Sequence, residues 1–233
     1  ASRVTASLGS RPQDSSVARF IDHTLLKPEA TVADIRRLCA EAREHGFAAV
    51  CVNGARVALA AELLAGSAVK VAAVAGFPLG AMTTAAKCRE VEDHVRLGAH
   101  EVDMVLPIGH LKEGDDDHVR RDVAEVVRAA AGRPVKVILE TCLLTDDEKV
   151  RSCRLCVAAG AAYVKTSTGF NQAGATLADV ALMKQTVGDA CRVKAAGGIR
   201  DAAAALAMIA AGATRLGTSS GVLLVTGGAG TGY

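Results

Sequence analysis

The segment Tyr-Val-Lys-Thr-Ser-Thr-Gly-Phe at residues 163–170 has the pattern of a short buried strand that ends in a glycine turn, with a lysine at its centre. Taking an ammonium group out of water is costly unless the group is paired or loses its charge. A lysine desolvated in this way becomes less basic, and its neutral amine can attack a carbonyl carbon. Lys165 is therefore the first candidate catalytic residue.

A strand followed by a helix recurs along the chain at intervals of roughly 25–30 residues, the length of a βα unit. Eight strands are predicted, near residues 20–26, 48–53, 70–77, 101–106, 135–141, 163–168, 192–196 and 215–218. Their near-continuous apolar runs are typical of parallel strands covered on both faces. The sequence therefore predicts one α/β domain, a closed (β/α)8 TIM barrel over residues 17–226. An open doubly wound sheet is the alternative, but it normally carries a GxGxxG turn after its first strand, and this sequence has none there.

Local signals mark the ends of the elements. Thr31 and Asp34 predict a capping box at the start of one helix, and Gly46 follows its end. Residues 1–16 are predicted to be a flexible polar leader, and residues 17–20 to end a short N-terminal helix. The glycine-rich residues 227–233 are predicted to form a mobile, flexible C-terminal tail.

The composition narrows the class of protein. The net charge is +2, from 27 basic and 25 acidic residues, which gives no support for nucleic acid or an anionic membrane as a partner. No apolar run approaches the roughly 20 residues that a membrane span needs, and the polar N-terminal stretch lacks the apolar core of a signal peptide. A soluble, cytoplasmic protein is expected.

The cysteines and histidines give little support for disulfide or metal chemistry. Seven scattered cysteines do not resemble a disulfide framework. Cys153 and Cys156 form a lone CxxC within a predicted helix, where buried free thiols are the expected state. The six histidines show no metal-binding spacing, so no metal and no other cofactor is predicted.

Four neighbouring strands each carry a charge on one face of an otherwise apolar run. Alternate side chains of a barrel strand point inward and outward, so Lys165 shares a face with Tyr163 and Ser167. The same alternation places four further charged residues on the inward faces of neighbouring strands: Asp103, Lys136, Glu140 and Lys194. We expect all of them to point into the barrel near its C-terminal mouth, where TIM barrels carry their active sites.

The predicted closeness of two lysines suggests a chemistry. Side chains on adjacent strands lie about 5 Å apart, and each cation disfavours protonation of the other, so that one amine is neutral near pH 7. The neutral amine of Lys165 would form an imine with an aldehyde or ketone, and the protonated imine accepts electrons from an adjacent carbon–carbon bond. Asp103 would carry the protons. The alternative is a purely structural network of these lysines and carboxylates, which would add little stability once desolvation is counted.

Glycine-bearing segments follow the last three strands, at residues 167–169, 196–200 and 217–221. Glycines let backbone N–H groups approach an anion, and the final segment opens a short helix whose N-terminus favours negative charge. The loops after strands seven and eight are the usual phosphate site of a TIM barrel, so a phosphate site is predicted here. Arg200 would add a charged contact, or else is a solvated loop residue.

The sequence resembles the deoxyribose-phosphate aldolases, a family of class I aldolases that form a Schiff base. The resemblance runs from residue 21 to residue 221 and is carried by DHTLL at 22–26, EVDMV at 101–105, KVILET at 136–141, YVKTSTGF at 163–170, VKAAGGIR at 193–200 and RLGTSSG at 215–221. It implies reversible cleavage of 2-deoxy-D-ribose 5-phosphate to D-glyceraldehyde 3-phosphate and acetaldehyde, in deoxyribonucleotide catabolism.

The resemblance also implies roles for single residues. Lys165 matches the family's Schiff-base lysine, Lys194 the second lysine that lowers its pKa, and Asp103 the aspartate that relays protons through water. The family's phosphate loops are matched by six positions, Gly169, Gly197, Gly198, Gly217, Ser219 and Ser220. Four further residues are expected to contact substrate hydroxyls or support the site: Asp22, Thr24, Lys136 and Thr166.

The sequence departs from the family pattern at one position and matches an optional feature at another. Phe170 stands where some members carry a lysine, so that phosphate contact is missing and Arg200 gains importance. Some members end in a tyrosine that assists proton transfer from a flexible tail. Tyr233 matches this terminal tyrosine. The alternative interpretation is that Tyr233 is a disordered terminal residue without a role in catalysis. The family is often dimeric, so a homodimer is considered.

Two other functions remain open from the sequence. One is a different Schiff-base barrel aldolase, either transaldolase-like or acting on keto acids, which would need a carboxylate-binding group in place of a phosphate loop. The other is a non-catalytic barrel that binds a sugar phosphate.

Overall fold

The computed structural model describes residues 15–227, which contain a closed barrel of eight parallel strands in sequence order. The barrel closes because β1 pairs with β8 as well as with β2. The strands are β1 (Ile21–Leu25), β2 (Ala49–Val52), β3 (Lys70–Ala75), β4 (Glu101–Val105), β5 (Val135–Ile138), β6 (Tyr163–Lys165), β7 (Arg192–Ala196) and β8 (Arg215–Thr218). The predicted (β/α)8 TIM barrel is confirmed.

Helices surround the barrel. They are α1 (Ser15–Ala18), α2 (Val32–His45), α3 (Val57–Leu63), α4 (Thr84–Arg96), α5 (Ile108–Glu113), α6 (Asp116–Ala129), α7 (Asp146–Ala158), α8 (Leu177–Val187), α9 (Ala202–Ala210) and α10 (Gly221–Thr226). Short 3-10 turns lie at Gly54–Arg56 and Thr141–Leu143. Within the described residues, no helix is both long enough and apolar enough to cross a bilayer.

The start and end of α2 show how local sequence sets an element. The Thr31 side chain accepts from the backbone of Asp34, and the Asp34 carboxylate accepts from the backbone of Thr31, as in the predicted capping box. Gly46 ends the helix in the left-handed conformation, with φ 65°. The buried face of the helix then packs against the barrel.

Two apolar clusters lie on opposite sides of the strands. The larger one contains outward-facing strand residues, such as Val137 and Val193, together with the buried faces of the helices. The smaller one lies on the inner face of the first three strands, and its members are Leu26, Cys51, Ala72 and Val74, with Phe77 packed against them. The inner surface of the barrel is therefore apolar on one side and, as described below, charged on the other.

Some element boundaries differ from the prediction. β5 and β6 end at Ile138 and Lys165, earlier than expected, and α5 is an additional helix in the loop after β4. The N-terminal helix begins at Ser15, inside the stretch predicted as a leader. Residues 1–14 and 228–233 lie outside the described residues, and with them most of the leader, most of the tail and Tyr233.

Candidate active site

Strand register brings the charged residues of the barrel interior together. The Cα atoms of Lys165 and Lys194 are direct partners across β6 and β7, and those of Asp103 and Lys136 are partners across β4 and β5. Since side chains alternate along a strand, partners in register point to the same face. Lys136 and Lys194 are fully buried and Lys165 is 3% exposed. The predicted convergence inside the barrel is therefore confirmed for these four residues.

Asp103 lies at the centre of this group and is itself fully buried. Its Oδ2 accepts hydrogen bonds from Nζ of Lys165 and from Nζ of Lys194, both at 2.8 Å. Its Oδ1 accepts from Nζ of Lys136 at 2.7 Å. Because two amines share one oxygen, Lys165 and Lys194 lie within mutual electrostatic reach.

The network includes two residues that the sequence alone did not single out. Lys136 Nζ lies 2.7 Å from Glu101 Oε2. Arg215 Nη1 donates to Asp22 Oδ1 at 2.7 Å and to Glu101 Oε2 at 3.1 Å. Asp22 also accepts from Lys194. A signal was present: Glu101 lies two residues before Asp103 on the same face, and Arg215 is in register with Lys194.

Glu140 does not take the predicted place beside the lysines. Its backbone is left-handed, with φ 57°, because the chain has already left β5. The carboxylate instead accepts from the backbone N–H of Thr168 at 3.1 Å and from the Thr168 hydroxyl. Glu140 therefore fixes the loop after β6, just beyond Lys165.

The charge balance of the network singles out one amine. Four basic groups face three carboxylates: Lys136, Lys165, Lys194 and Arg215 against Asp22, Glu101 and Asp103. Lys136, Lys194 and Arg215 each contact two or more carboxylates. Within the described residues, the one ion pair of Lys165 is with Asp103. Loss of a proton from Lys165 would leave three cations matched by three anions. Since an unbalanced buried charge is costly, Lys165 is the group most easily deprotonated.

The pKa shifts agree with this assignment and rank its causes. Burial is the largest effect that lowers the pKa of Lys165, and the charge of Lys194 lowers it further, while Asp103 opposes both. Desolvation and the neighbouring cation, both expected from the sequence, thus act together, and desolvation is the larger of the two. Burial also acts to lower the pKa of Lys194, but Asp103 and Asp22 outweigh it and raise that pKa above its usual value.

The two aspartates of the network are kept ionised by the cations around them. Burial would raise the pKa of Asp22, yet Lys194, Lys136 and Arg215 together lower it to about 2. Burial likewise opposes ionisation of Asp103, but the three lysines around it hold its pKa well below the usual range. An ionised Asp103 can accept hydrogen bonds from several amines at once, and it can receive a proton only transiently.

A thiol joins the site from the apolar side. Cys51 is fully buried and lies close enough to Asp103, Lys194 and Lys165 to interact with their charges. Burial, followed by the charge of Asp103, raises its pKa, so that the thiol stays protonated. With its neighbours in the smaller apolar cluster, Cys51 offers an uncharged wall facing the Lys165 amine.

The predicted phosphate-site residues border a single pocket with Lys165. The pocket lies at the C-terminal ends of the strands, and its lining includes Thr24, Lys165, Gly169, Gly197, Gly198, Arg200, Gly217, Ser219 and Ser220. Arg200 and Ser219 are exposed, whereas Ser220 is buried and its N–H is bonded to Thr218. The arrangement places an amine at the base of a pocket whose rim is rich in backbone N–H groups.

The supporting residues divide into two kinds. Asp22 is buried within the ion pairs and cannot contact a substrate without breaking them, whereas Thr24 lines the pocket and donates to the Asp22 carbonyl at 2.9 Å. Thr166 is fully buried and exchanges hydrogen bonds with the backbone of Ala196 at 3.0 and 3.1 Å. It thus links the ends of β6 and β7. Phe170 packs edge-to-face against Phe77, with ring centroids 5.3 Å apart.

Fold and site together define the class: a TIM barrel with an amine-centred pocket at its C-terminal mouth. A family model described as DeoC/LacD family aldolase matches residues 16–226. The chain belongs to this family. It is 59% identical over 214 residues to the deoxyribose-phosphate aldolase of Brevibacillus brevis, covering 92% of this chain and 97% of that protein. The deoxyribose-phosphate aldolase of a Geobacillus strain is also 59% identical, over 92% of this chain and 96% of that protein.

A solved structure supports the same assignment. The deoxyribose phosphate aldolase of Aeropyrum pernix, described as tetrameric, matches with a TM-score of 0.84 and 34% identity. The match covers 91% of this chain and 90% of that one. The likeness therefore extends over most of the chain.

The tightest glycine contact at the pocket gives a first testable prediction. Gly197 has φ 88°, and a Cβ there would lie 2.9 Å from the Cα of Gly174, so Gly197→Ala must separate the loops after β6 and β7. Hydrogen bonds to charged groups contribute about 1.5–3 kcal/mol, so we expect KM for a phosphorylated substrate to rise roughly tenfold or more. Steady-state kinetics would measure this change.

A matched substitution separates this effect from general backbone strain. Gly46 is also left-handed, but a Cβ there meets nothing within 4 Å and lies away from the pocket. Gly46→Ala should cost a comparable conformational penalty of about 1–2 kcal/mol without changing KM. Equal KM values for the two variants would contradict a role of Gly197 in holding the phosphate loops.

Proposed function

We propose that this chain catalyses the reversible aldol cleavage of 2-deoxy-D-ribose 5-phosphate to D-glyceraldehyde 3-phosphate and acetaldehyde, through a Schiff base on Lys165. The observation that carries the proposal is the hydrogen bonding of Lys165 and Lys194 to one oxygen of Asp103, at the base of a pocket rimmed by glycine loops. The named relatives support the choice of substrate.

The first half of the reaction follows from the neutral amine. Nζ of Lys165 attacks the C1 aldehyde of the open-chain sugar, and loss of water from the carbinolamine gives a protonated imine. The C3 hydroxyl then gives up its proton, the C2–C3 bond breaks, and its electrons move into the imine to form an enamine. Glyceraldehyde 3-phosphate leaves with the new aldehyde at the former C3.

The second half restores the lysine. The enamine carbon takes up a proton, and water hydrolyses the resulting imine to release acetaldehyde and the free amine of Lys165. Asp103 is the group placed to relay these protons, because it contacts Lys165 and Lys194 through one oxygen. A carboxylate with a strongly lowered pKa passes a proton on rather than keeping it. The charged Lys194 compensates the negative charge of Asp103 throughout.

The phosphate would bind at the opposite end of the pocket. Backbone N–H groups near Gly169, Gly197 and Gly198, with the hydroxyl of Ser219, are the proposed contacts, and the exposed Arg200 supplies a positive charge. Phe170 cannot provide such a charge. Its ring, packed on Phe77, instead extends the apolar side of the mouth.

The setting and assembly of the enzyme are part of the same proposal. A deoxyribose phosphate substrate implies deoxyribonucleotide catabolism, in the cytoplasm. A homodimer stays a prediction, as does proton transfer by Tyr233, which lies outside the described residues. Size-exclusion chromatography with light scattering would determine the assembly.

Two measurements test the proposed function. Incubation with 2-deoxyribose 5-phosphate should release acetaldehyde and glyceraldehyde 3-phosphate in equal amounts. Coupled assays with a dehydrogenase specific for each product would measure the two amounts. Borohydride added with acetaldehyde should leave an ethyl group on the peptide that contains Lys165. A keto-acid aldolase would cleave a keto acid instead, and a sugar-phosphate binder would gain no adduct. Either outcome would overturn the proposal.

A further inference from the structure

A second cluster of reactive side chains lies on the outer helices that follow β4. We propose that His110, Asp115 and His118 bind a divalent transition metal ion, with Zn2+ as the best match. His110 is in α5, His118 is in the first turns of α6, and Asp115 lies in the turn between these helices. None of the three belongs to the lysine network or lines the pocket described above.

The spacing of the donor atoms fits one ion. Each of the three residues offers a ligand atom, and all of these atoms lie within 4.8 Å of one another. Ligands about 2.0–2.1 Å from a tetrahedral zinc ion are about 3.3 Å apart. His110 Nδ1 is 3.5 Å from Asp115 Oδ2 and 3.8 Å from Glu113 Oε2, which is long for hydrogen bonds but close to this ligand spacing.

An independent observation points to a missing ligand. The Nδ1 atom of His110 is shielded from solvent and makes no hydrogen bond within residues 15–227, although carboxylates of Asp115 and Glu113 lie at the longer ion-pair distances given above. A shielded nitrogen without a partner is unusual and calls for an explanation. The ring of His118 lies nearly parallel to that of His110, with centroids 3.7 Å apart and 17° between the planes. An imidazole nitrogen binds a metal in the plane of its ring, so the two rings must rotate out of this stacked arrangement before both reach one ion. Both side chains are only partly buried, which leaves room for that rotation.

The local fold explains why the three residues meet. Gly114, with φ 80°, turns the chain sharply between α5 and α6. Asp115 caps α6 by accepting the His118 N–H at Oδ1, at 3.1 Å, which directs Oδ2 towards His110. A bound ion would therefore fasten α5 to α6 through the cap. Imidazole ligands favour zinc over magnesium or calcium, which prefer oxygen donors.

Zinc titration of the intact chain, freed of metal by a chelator and followed by calorimetry, tests the site. We expect one Zn2+ per chain, with affinity about tenfold or more weaker in His118→Gln, because even outer partners of metal ligands change affinity by 10–100-fold. Asp115→Asn keeps a good helix cap but should weaken zinc binding. His45→Gln removes an imidazole elsewhere and should bind zinc as the wild type does. Zinc should raise the Tm of the wild type but not of His118→Gln.

Several outcomes would overturn the proposal. Absence of stoichiometric zinc binding to the wild type would do so. Equal zinc affinity in the wild type, His118→Gln and Asp115→Asn would also do so, because the ion would then be bound by the cysteines or by other residues. Magnesium that displaces zinc at similar concentration would contradict an imidazole-based site. Aldol turnover should be the same in His118→Gln and the wild type, so this result and the proposed function are tested independently.

Discussion

Lys165→Met is expected to reduce aldol turnover by at least about 10^4-fold, the scale at which loss of a covalent nucleophile acts. Methionine has a similar length but no amine, so neither the carbinolamine nor the imine can form. Lys136 and Lys194 cannot substitute, because their ammonium groups each contact two or more carboxylates. Product release from 2-deoxyribose 5-phosphate under saturating conditions would measure the loss.

The same variant should remain folded, which makes the kinetic result interpretable. Without Lys165, three cations still face three carboxylates, and Asp103 keeps its bonds to Lys136 and Lys194. We therefore expect the free energy of unfolding to change by no more than the roughly 1–2 kcal/mol of a tolerated substitution. Urea denaturation would measure it.

A second variant separates charge from nucleophilicity. Lys165→Arg retains a cation but cannot form an imine at neutral pH. Both variants should lose the borohydride-trapped ethyl adduct as well as turnover. Residual adduct at another lysine, or turnover within tenfold of the wild type, would show that Lys165 is not the attacking amine.

The elements and inward faces could be predicted because they depend on short-range patterns. Eight apolar runs separated by helical patterns are enough to predict eight strands that alternate with helices. The two-residue period of a strand then places Lys165 and Asp103 on inward faces. The closed barrel then leaves one interior for all of them. The glycine segments after β6, β7 and β8 similarly point to one mouth, where they line one pocket with Lys165.

What was missed depends on where strands end and on how they are staggered. In the sequence, Glu140 continues the two-residue alternation that places side chains on the inner face of β5. In the structure the strand ends at Ile138, and the left-handed backbone at Glu140 turns its carboxylate towards Thr168. Arg215 and Glu101 are the first residues of their strands, and a charged residue at the end of a strand is usually expected to be exposed to solvent. They enter the network because the barrel register sets them beside Asp22 and Lys136.

The histidine cluster on α5 and α6 was missed for a different reason. His110 and His118 are eight residues apart, which matches no helical or loop motif for metal binding. They meet because a helix ends at Glu113 and another starts at Asp116, and this break was not predicted. Sequence spacing therefore cannot reveal the cluster unless the turn at Gly114 is known.

Lys194→Leu is expected to move the acid limb of the kcat/KM–pH profile to higher pH and to lower turnover at pH 7 by roughly 10^2-fold, the scale of a lost acid–base partner. The neutral form of Lys165 is the reactive one. Lys194 helps to lower the pKa of Lys165, so its removal raises that pKa and reduces the neutral fraction at any pH below it. Burial still lowers the pKa, so part of the activity should return on raising the pH.

The same substitution should also destabilise the barrel, and a double variant separates the two effects. A leucine side chain in place of Lys194 would leave Asp22 and Asp103 with Lys136 as the one lysine that both contact, and breaking a buried pair costs about 3–5 kcal/mol. Adding Asp22→Asn removes one unmatched charge and should recover part of that stability, because Asp22 does not contact the reacting amine. The alkaline shift should persist in the double variant, since Lys165 still lacks its neighbouring cation. A pH profile unchanged in both variants would mean that burial alone sets the pKa of Lys165, and that Lys194 serves only to neutralise the carboxylates.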